Sequence, residues 1–254
     1  MADHPLISCL VPLFNAEDYV AEALDSILAQ SYGNTEIVVV DDGSTDRSAD
    51  VVRGYGARVR LLSQSNAGLG GARNACLQEA RGPFIAFLDA DDIWHPQKLE
   101  LQMAVFESQP DTDICYGYAQ NFWVDELDAE RTKYGDWVLA VPVRTLNLST
   151  SLMRRGVFDT CGPFNAASHD SADKAWVMRI DEAGLTTRYI PDIIMYRRLH
   201  RQNMTRRMDD KDRTNMVDLL KTTLDRRRRA GMYKRTGSPD DRVRRVRTGA
   251  KPKP

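Results

Sequence analysis

The chain has 254 residues and a hydrophobic fraction of 42%, which is enough to fill the core of one large domain. Its formal net charge of -1 is unevenly distributed, because residues 201–254 carry 18 Lys and Arg against 7 Asp and Glu, whereas residues 1–200 carry 17 against 29. No stretch approaches the ~18 consecutive apolar residues of a membrane span, and the N-terminus lacks the charged start and long apolar run of a signal peptide.

The cysteines, together with the lack of a membrane span and of a signal peptide pattern, favour a cytoplasmic protein. They form no Cys-x-x-Cys pair and no metal-binding spacing, so reduced thiols are expected. They are Cys9, Cys76, Cys115 and Cys161.

The N-terminal part of the chain alternates between short apolar runs and segments with helical periodicity. The predicted strands are 6–12, 37–40, 59–62 and 83–88. The helices predicted between them begin at Ala16, near residue 45 and at Ala72, and Asn15 is the expected N-cap of the first. This order of elements, with short loops, predicts a mostly parallel sheet with helices on both faces.

Polar turns follow three of these strands. Asn15 follows the first strand, Asp41-Asp42-Gly43-Ser44 follows the second, and Asp89-Ala90-Asp91-Asp92 follows the fourth. Ligands of such sheets lie beyond the carboxyl ends of the strands, where all three turns are expected. Clustered carboxylates repel one another unless a cation lies between them, and oxygen ligands suit Mg²⁺ or Mn²⁺. The alternative is a solvated acidic turn in which Asp92 caps the next helix.

The pattern changes after Asp92 and becomes mixed. The predicted helices are 96–108, 175–183 and 210–230. The predicted strands are 113–124, 148–153 and 187–198. Residues 125–136 are expected to form a loop or hairpin, residues 163–170 a loop, and the basic tail from Thr236 to be disordered. These elements predict a smaller mixed region beside the parallel sheet and a C-terminal helical tail.

Four segments, in their order and spacing, resemble the inverting nucleotide-sugar glycosyltransferases of family two. They are Val11-Pro12-Leu13-Phe14-Asn15, residues 39–46, residues 66–74 and Leu88-Asp89-Ala90-Asp91-Asp92. The resemblance implies an α/β fold of the GT-A type, which is Rossmann-like, and a nucleoside-diphosphate sugar donor, most often a UDP-sugar, with Mn²⁺ or Mg²⁺. It divides residues 1–205 into a nucleotide-sugar half (1–110) and an acceptor half (111–205), and the predicted C-terminal helix (206–235) and basic tail (236–254) lie outside it.

The resemblance also implies roles for single residues. Those implied to bind the nucleotide sugar are Pro12, Phe14, Asn15, Glu17, Asp41, Asp42, Arg73, Asp89 and Ala90. One aspartate of the 41–42 pair would read the base, Arg73 would lie near the base or diphosphate, and Asp89 would contact the ribose. Asp91 would ligate the metal, with His200 as a further ligand, although a lone histidine is more often a packing residue.

The catalytic base is implied by the segment Ser171 to Arg179. Inversion needs a base that removes the acceptor proton opposite the leaving group. Asp173 falls on the aspartate of the family's Glu-Asp pair, whereas Ala172 replaces the glutamate. The alternatives are that Asp173 is only a helix N-cap, that Asp170 substitutes as base, or that the protein is slow or non-catalytic.

These observations favour a hexosyl- or N-acetylhexosaminyl-transferase that moves a sugar from a UDP-sugar to an acceptor hydroxyl with inversion, assisted by a metal ion. The alternative is a weak or inactive homologue that acts as a binding or scaffold protein. A nucleotidyltransferase is disfavoured because residues 11–15 hold no phosphate loop rich in Gly and Lys. A dinucleotide site is disfavoured because Gly68-Leu69-Gly70-Gly71 is not G-x-G-x-x-G. The sequence leaves the acceptor unidentified.

The basic C-terminal region suggests a contact of its own. Such a region is typical of peripheral binding to an anionic membrane face, here the inner face of the membrane, or to another protein. The alternative is a solvated helix face and a frayed end. No nucleic-acid partner is expected.

Overall fold

The computed structural model describes residues 4–134, 143–144, 147–166 and 172–203. All of them lie within the first of two compact units, Met1–Asn215. The helix predicted over 210–230, the basic tail and the alternative base Asp170 fall outside the described residues.

A four-stranded parallel sheet forms the N-terminal half. Its strands are β1 (Ile7–Leu13), β2 (Thr35–Asp41), β3 (Arg60–Ser63) and β4 (Phe84–Phe87). They lie in the order β3-β2-β1-β4, and all neighbours are parallel. Strands covered on both faces need continuous apolar runs, which is why Val38, Val39 and Val40 are all buried. The prediction of a mostly parallel sheet is confirmed.

Helices cover both faces of this sheet. They are α1 (Val20–Leu28), α2 (Ser48–Arg53) and α3 (Gly68–Glu79), with a 3₁₀ turn at Gly56–Arg58. Alternate side chains of a strand point to opposite faces. Val11 and Val39 therefore belong to the core cluster that contains Leu24 of α1, whereas Leu10 and Val38 belong to the cluster on the α3 face.

Two helix starts differ from the prediction. Helix α1 begins at Val20 rather than Ala16, and Asn15 is not its N-cap. Asn15 adopts a left-handed backbone with φ of 48°, and its side chain accepts a hydrogen bond from the next loop. Helix α3 begins at Gly68, four residues before Ala72, although glycine has a low helix propensity. Packing rather than helix propensity accounts for the glycine at position 70, because another backbone lies against it.

The second half extends the sheet with strands of both directions. Its strands are β5 (Ile93–Trp94), β6 (Ile114–Trp123), β7 (Val143–Arg144), β8 (Ser151–Arg154) and β9 (Thr187–Leu199). Strand β8 is antiparallel to β4 and β6, β9 is parallel to β6, and β5 and β7 pair antiparallel with β9 and β6. The described strands therefore follow the order β3-β2-β1-β4-β8-β6-β9-β5, with β7 beside β6. A smaller mixed region next to the parallel sheet is as predicted.

Short helices connect these strands. They are α4 (Lys98–Ser108), α5 (Asp128–Tyr134), α6 (Gly156–Cys161) and α7 (Ala172–Ala183), with 3₁₀ turns at Asp125–Leu127 and Leu148–Thr150. The loop or hairpin predicted over 125–136 is wrong where α5 forms. The strand predicted from Leu148 starts at Ser151, because Asn147 caps a 3₁₀ turn by accepting from the Ser149 N–H. Helix α7 starts three residues earlier than predicted.

The cysteines and helix lengths agree with the composition. All four cysteines are free and buried, as expected. In the part of the chain that the structure describes, no helix has the length and apolar character needed to cross a bilayer.

Candidate functional site

The loops after β1 and β2 are tied together by hydrogen bonds. The Asn15 Oδ1 accepts from the Thr45 N–H at 2.8 Å, and the Asn15 N–H donates to the Ser44 Oγ at 3.0 Å. The Glu17 Oε2 accepts from the Arg47 N–H at 2.9 Å. Asn15 and Glu17, both implied to bind nucleotide, therefore also build the rim at the carboxyl end of the sheet. Phe14 beside them is half exposed.

The two aspartates at the end of β2, Asp41 as its last residue and Asp42 just after it, are buried and differ in their partners. The Asp41 Oδ1 accepts from the Ser44 N–H at 3.1 Å within its own turn. The Asp42 Oδ1 accepts from the Gln64 Nε2 at 2.7 Å and from the Ala67 N–H at 2.8 Å. Asp42 thus fixes the loop that leads into α3.

Arg73 and Asp89 form an ion pair at the end of β4. The Arg73 Nη2 donates to the Asp89 Oδ1 at 2.7 Å, and the Arg73 side chain is fully buried while that of Asp89 is 30% exposed. The guanidinium lies over the rings of Phe87 and Phe164 at 5.7 and 5.8 Å. The Asp89 N–H donates to the Ser149 Oγ at 3.1 Å. Asp89 is therefore held by Arg73 and Ser149 while its side chain stays partly exposed.

Asp91 and His200 meet across 109 residues of sequence. The His200 Nε2 lies 2.9 Å from the Asp91 Oδ2, with 5% and 28% of the two side chains exposed. The Gln202 N–H donates to the His200 Nδ1 at 3.3 Å, so in the neutral ring the proton lies on Nε2 and faces Asp91. Asn203 fixes both groups, because its Nδ2 donates to the Asp91 Oδ2 at 3.3 Å and its Oδ1 accepts from the His200 N–H at 2.7 Å.

Asp92 points inward. Its Oδ1 accepts from the Arg198 N–H at 3.0 Å, and α4 begins only at Lys98, so the alternative in which Asp92 caps that helix is wrong. Burial raises the pKa of Asp92 well above its ordinary value, and the charges of Asp91 and Asp89 add to the rise.

Arg198 connects this corner to the rest of the fold. Its Nε donates to the Asp91 carbonyl at 3.0 Å, and its Nη2 donates to the Glu22 Oε2 at 2.8 Å. The guanidinium lies between the rings of Tyr19 and Phe122, at 5.1 and 4.8 Å. The sequence indicated His200 but not that Arg198, two residues before it, supports the Asp91 backbone. Ser149 was also missed, because one serine within the polar stretch Ser149-Thr150-Ser151 carries no signal of its own.

A divalent ion fits the donor atoms at Asp91 and His200. A carboxylate oxygen and an imidazole nitrogen 2.9 Å apart have the spacing of adjacent ligands in an octahedral shell, about 3 Å. Binding an ion through Nε2 would move the ring proton to Nδ1, at the cost of the hydrogen bond from the Gln202 N–H. Over residues 4–134, 143–144, 147–166 and 172–203, no group of three or more His, Cys, Asp or Glu side chains could hold an ion. Such an ion would therefore also need oxygens from a ligand or water.

Asp173 lies in the first turn of α7, as its second residue rather than its N-cap. The helix is anchored by Trp176, which is fully buried and whose Nε1 donates to the Gly162 carbonyl at 2.8 Å. The Trp176 ring packs 4.9 Å from the rings of Phe158 and Phe164. The position of Asp173 therefore depends on what holds this helix.

Comparisons with known proteins point to one family. Residues 8–176 match the model of Glycosyl transferase family 2. An uncharacterized glycosyltransferase of Rickettsia felis is 35% identical over 161 residues, covering 62% of this chain and 26% of that protein. One of Nostoc sp. is 42% identical over 149 residues, covering 56% of this chain and 46% of that protein. The chain thus spans less than half the length of these relatives.

Two solved structures are similar in fold. Staphylococcus aureus TarS 1–349 in complex with UDP-GlcNAc has a TM-score of 0.62 at 22% identity, covering 78% of this chain and 59% of that one. The mannosyltransferase PcManGT from Pyrobaculum calidifontis, in complex with GDP-Man and Mn²⁺, has a TM-score of 0.60 at 22% identity, covering 80% and 59%.

Proposed function

Because this chain belongs to glycosyl transferase family 2, we propose that it transfers a sugar from a nucleoside-diphosphate donor to an acceptor hydroxyl, with inversion at the sugar carbon. The family membership and the GT-A fold, both expected from the four turn segments, are confirmed by the family match and the structural likeness.

One observation carries the proposal. Two partly exposed carboxylates, Asp89 and Asp91, follow the same strand, and each is held in place by a buried basic or imidazole side chain. A ribose and a diphosphate need hydrogen-bond acceptors and a cation site side by side, and this corner offers both.

Asp91 and His200 would hold Mn²⁺ or Mg²⁺ together with oxygens of the diphosphate. When bound, the ion would neutralise the diphosphate and stabilise the charge of the departing nucleotide. Arg198 and Asn203 would keep the two ligand groups in register, and Asp89 would accept hydrogen bonds from the ribose.

Asp173 would be the base that takes the proton of the attacking hydroxyl. The acceptor oxygen then bonds to the sugar carbon while the bond from that carbon to the diphosphate oxygen breaks on the opposite face. With Ala172 at the glutamate position, Asp173 is the carboxylate of that pair which remains.

The proposed donor is a UDP-sugar that carries a hexosyl or N-acetylhexosaminyl group. TarS has been solved with UDP and with UDP-GlcNAc, whereas PcManGT has been solved with GDP-Man. The base is therefore the first property of the donor to test.

Ala172 supports a second candidate, a protein that binds a nucleotide sugar without transferring it. The two candidates share the donor site and differ only in turnover.

Titration calorimetry with UDP and with GDP, each with and without MnCl₂, tests the donor site. We expect UDP to bind at least about tenfold more tightly than GDP, which is about 1.4 kcal/mol, and only with Mn²⁺ present. Binding of neither nucleotide, or binding that ignores Mn²⁺, would contradict the proposal. Hydrolysis of UDP-sugars by a protein that binds UDP would favour the enzyme over the second candidate.

A further inference from the structure

Residues 162–166 lie between helices α3 and α7, which carry residues with different proposed roles. Helix α3 carries Arg73, which holds Asp89 at the donor site, and helix α7 carries Asp173 in its first turn. We name residues 162–166 the bridging segment. Its contacts determine how α7 lies against α3.

Asn74 of α3 pairs with both backbone polar groups of Phe164. The Asn74 Nδ2 donates to the Phe164 carbonyl at 2.9 Å, and the Asn74 Oδ1 accepts from the Phe164 N–H at 2.8 Å. A side-chain amide offers a donor and an acceptor in one plane, whereas an ionised aspartate offers acceptors only. The pair is therefore specific to the amide, and it links positions 90 residues apart in sequence.

Gly70 lets the bridging segment lie directly on α3. A Cβ at this position would be 2.7 Å from the Asn165 carbonyl oxygen and 3.3 Å from the Ala166 Cα. The backbone of Gly70 is not left-handed, so the close approach rather than φ requires glycine here.

Helix α7 holds the other side of the segment. The Trp176 Nε1 donates to the Gly162 carbonyl at 2.8 Å, and the Arg179 Nη2 donates to the Pro163 carbonyl at 2.7 Å. The Phe164 side chain is 2% exposed, and its ring centroid lies 4.9 Å from that of Trp176. The segment is thus fixed to both helices by hydrogen bonds and by aromatic packing.

We propose that Asn74 is a positioning residue for the catalytic base. Together with Gly70 it holds the bridging segment on α3, and this sets α7, and with it Asp173, relative to Asp89. The inference rests on the proposed role of Asp173 as the base. Asn74 acts through the backbone of Phe164 and touches no reacting atom.

A double-mutant cycle tests this with Mn²⁺-dependent hydrolysis of a UDP-sugar, in which water takes the place of the acceptor. We expect Asn74→Ala and Asp173→Asn each to lower kcat roughly tenfold or more, with the double variant no slower than Asp173→Asn alone. The Kd for UDP with Mn²⁺ should stay within about twofold in Asn74→Ala, because Arg73 lies over Phe87 as well as Phe164 and keeps its ion pair with Asp89. Asn74→Asp should resemble Asn74→Ala, since its carboxylate faces the Phe164 carbonyl.

Gln78→Ala, which removes an exposed amide from the same helix, is the control and should turn over like the wild type.

Losses in kcat that multiply in the double variant would overturn the proposal, because Asn74 would then act independently of Asp173. Full turnover in Asp173→Asn would instead overturn the proposed base.

Hydrogen exchange tests the anchoring without any need for turnover. Asn74→Ala and Gly70→Ala should both speed amide exchange in α7 at least several-fold while leaving β4 unchanged. Alanine favours a helix over glycine, so a loosened α7 in Gly70→Ala must come from the clash with the bridging segment. Gly156→Ala, where a Cβ meets nothing within 4 Å, is the matched control. Unchanged exchange in α7 in both variants would overturn the proposal even if turnover falls.

Discussion

The bridging segment differs in construction from the proposed donor corner, by which we mean Asp89, Asp91 and the side chains that hold them. At the donor corner, Asp89 and Asp91 keep 30% and 28% of their side chains exposed, and buried groups hold them from behind. In the bridging segment Phe164 is buried and its backbone polar groups are paired with a side chain. In the proposed function, the first region presents polar groups to a ligand and the second only fixes a position, so damage to them should have different consequences.

Replacing Asp91 by Asn should give the largest effect at the donor corner. The change removes the charged ligand group but keeps the size of the side chain and an oxygen. We expect the affinity for Mn²⁺ with UDP to fall by about 100-fold or more, because a neutral amide is a far weaker ligand for a divalent ion. Titration calorimetry measures this.

Asp50→Asn is the control for that experiment, since Asp50 is an exposed acidic residue whose partner is Arg53. If Asp91→Asn and Asp50→Asn bound Mn²⁺ and UDP equally well, the donor corner would lie elsewhere.

Replacing Arg198 by Ala should have the next largest effect. The loss of its hydrogen bond to the Asp91 carbonyl frees the backbone that carries the ligand, and supports of this kind typically change metal affinity by about 10- to 100-fold. Arg198→Lys should recover only part of the affinity, because one ammonium cannot reach both the carbonyl and Glu22 with the geometry of a guanidinium. Manganese titration followed by electron paramagnetic resonance provides the readout.

Arg188→Ala serves as the control for Arg198, because Arg188 lies on the same strand and pairs with the exposed Asp111. Equal losses in the two variants would point to general damage to β9 rather than to support of Asp91.

The sequence singles out the residues of the proposed donor corner but not the groups that support them. Asp89 and Asp91 could be found because they follow a strand in a dense turn motif. Arg198 and Asn74 act on backbone groups about 90 or more residues away, and no local pattern records which carbonyl a side chain will reach. The start of α3 was missed for a related reason, since the glycine at position 70 serves the packing of residues 165–166, and its low helix propensity is therefore a poor guide to the helix boundary.

Lys98 is a buried polar group whose replacement should change the stability of the fold rather than the binding of a ligand. Its Nζ donates to the Gln102 Oε1 at 2.7 Å and to the Ser151 carbonyl at 3.0 Å, and burial lowers its pKa to about 7. The unfolded chain keeps this proton until about pH 10.5, so the contribution of Lys98 to the free energy of unfolding should rise with pH above about 7.

The expected slope is about 1 kcal/mol per pH unit between roughly pH 7.5 and 8.5, below the full-proton limit of about 1.4 kcal/mol. Burial raises the pKa of Cys9 and Cys76 to about 12 and that of Cys115 to about 11, which opposes the trend at higher pH in both proteins and largely cancels in the difference between them. Urea unfolding of the wild type and of Lys98→Met at several pH values measures the difference in slope. Identical slopes in the two proteins would mean that Lys98 stays protonated in the fold.

Replacing Glu22 by Ala should give the smallest effect. It removes the ion-pair partner of Arg198 while leaving the hydrogen bond of Arg198 to the Asp91 carbonyl in place. Glu22 is 56% exposed, so its ion pair with Arg198 is screened by water and should be worth less than about 1 kcal/mol. Arg198 would keep its hydrogen bond to the Asp91 carbonyl and its position between Tyr19 and Phe122. We therefore expect the affinity for Mn²⁺ with UDP to change less than about fivefold in Glu22→Ala, measured by the same calorimetry. A loss as large as that in Arg198→Ala would show that the exposed carboxylate, rather than the aromatic rings, holds the guanidinium against the donor corner.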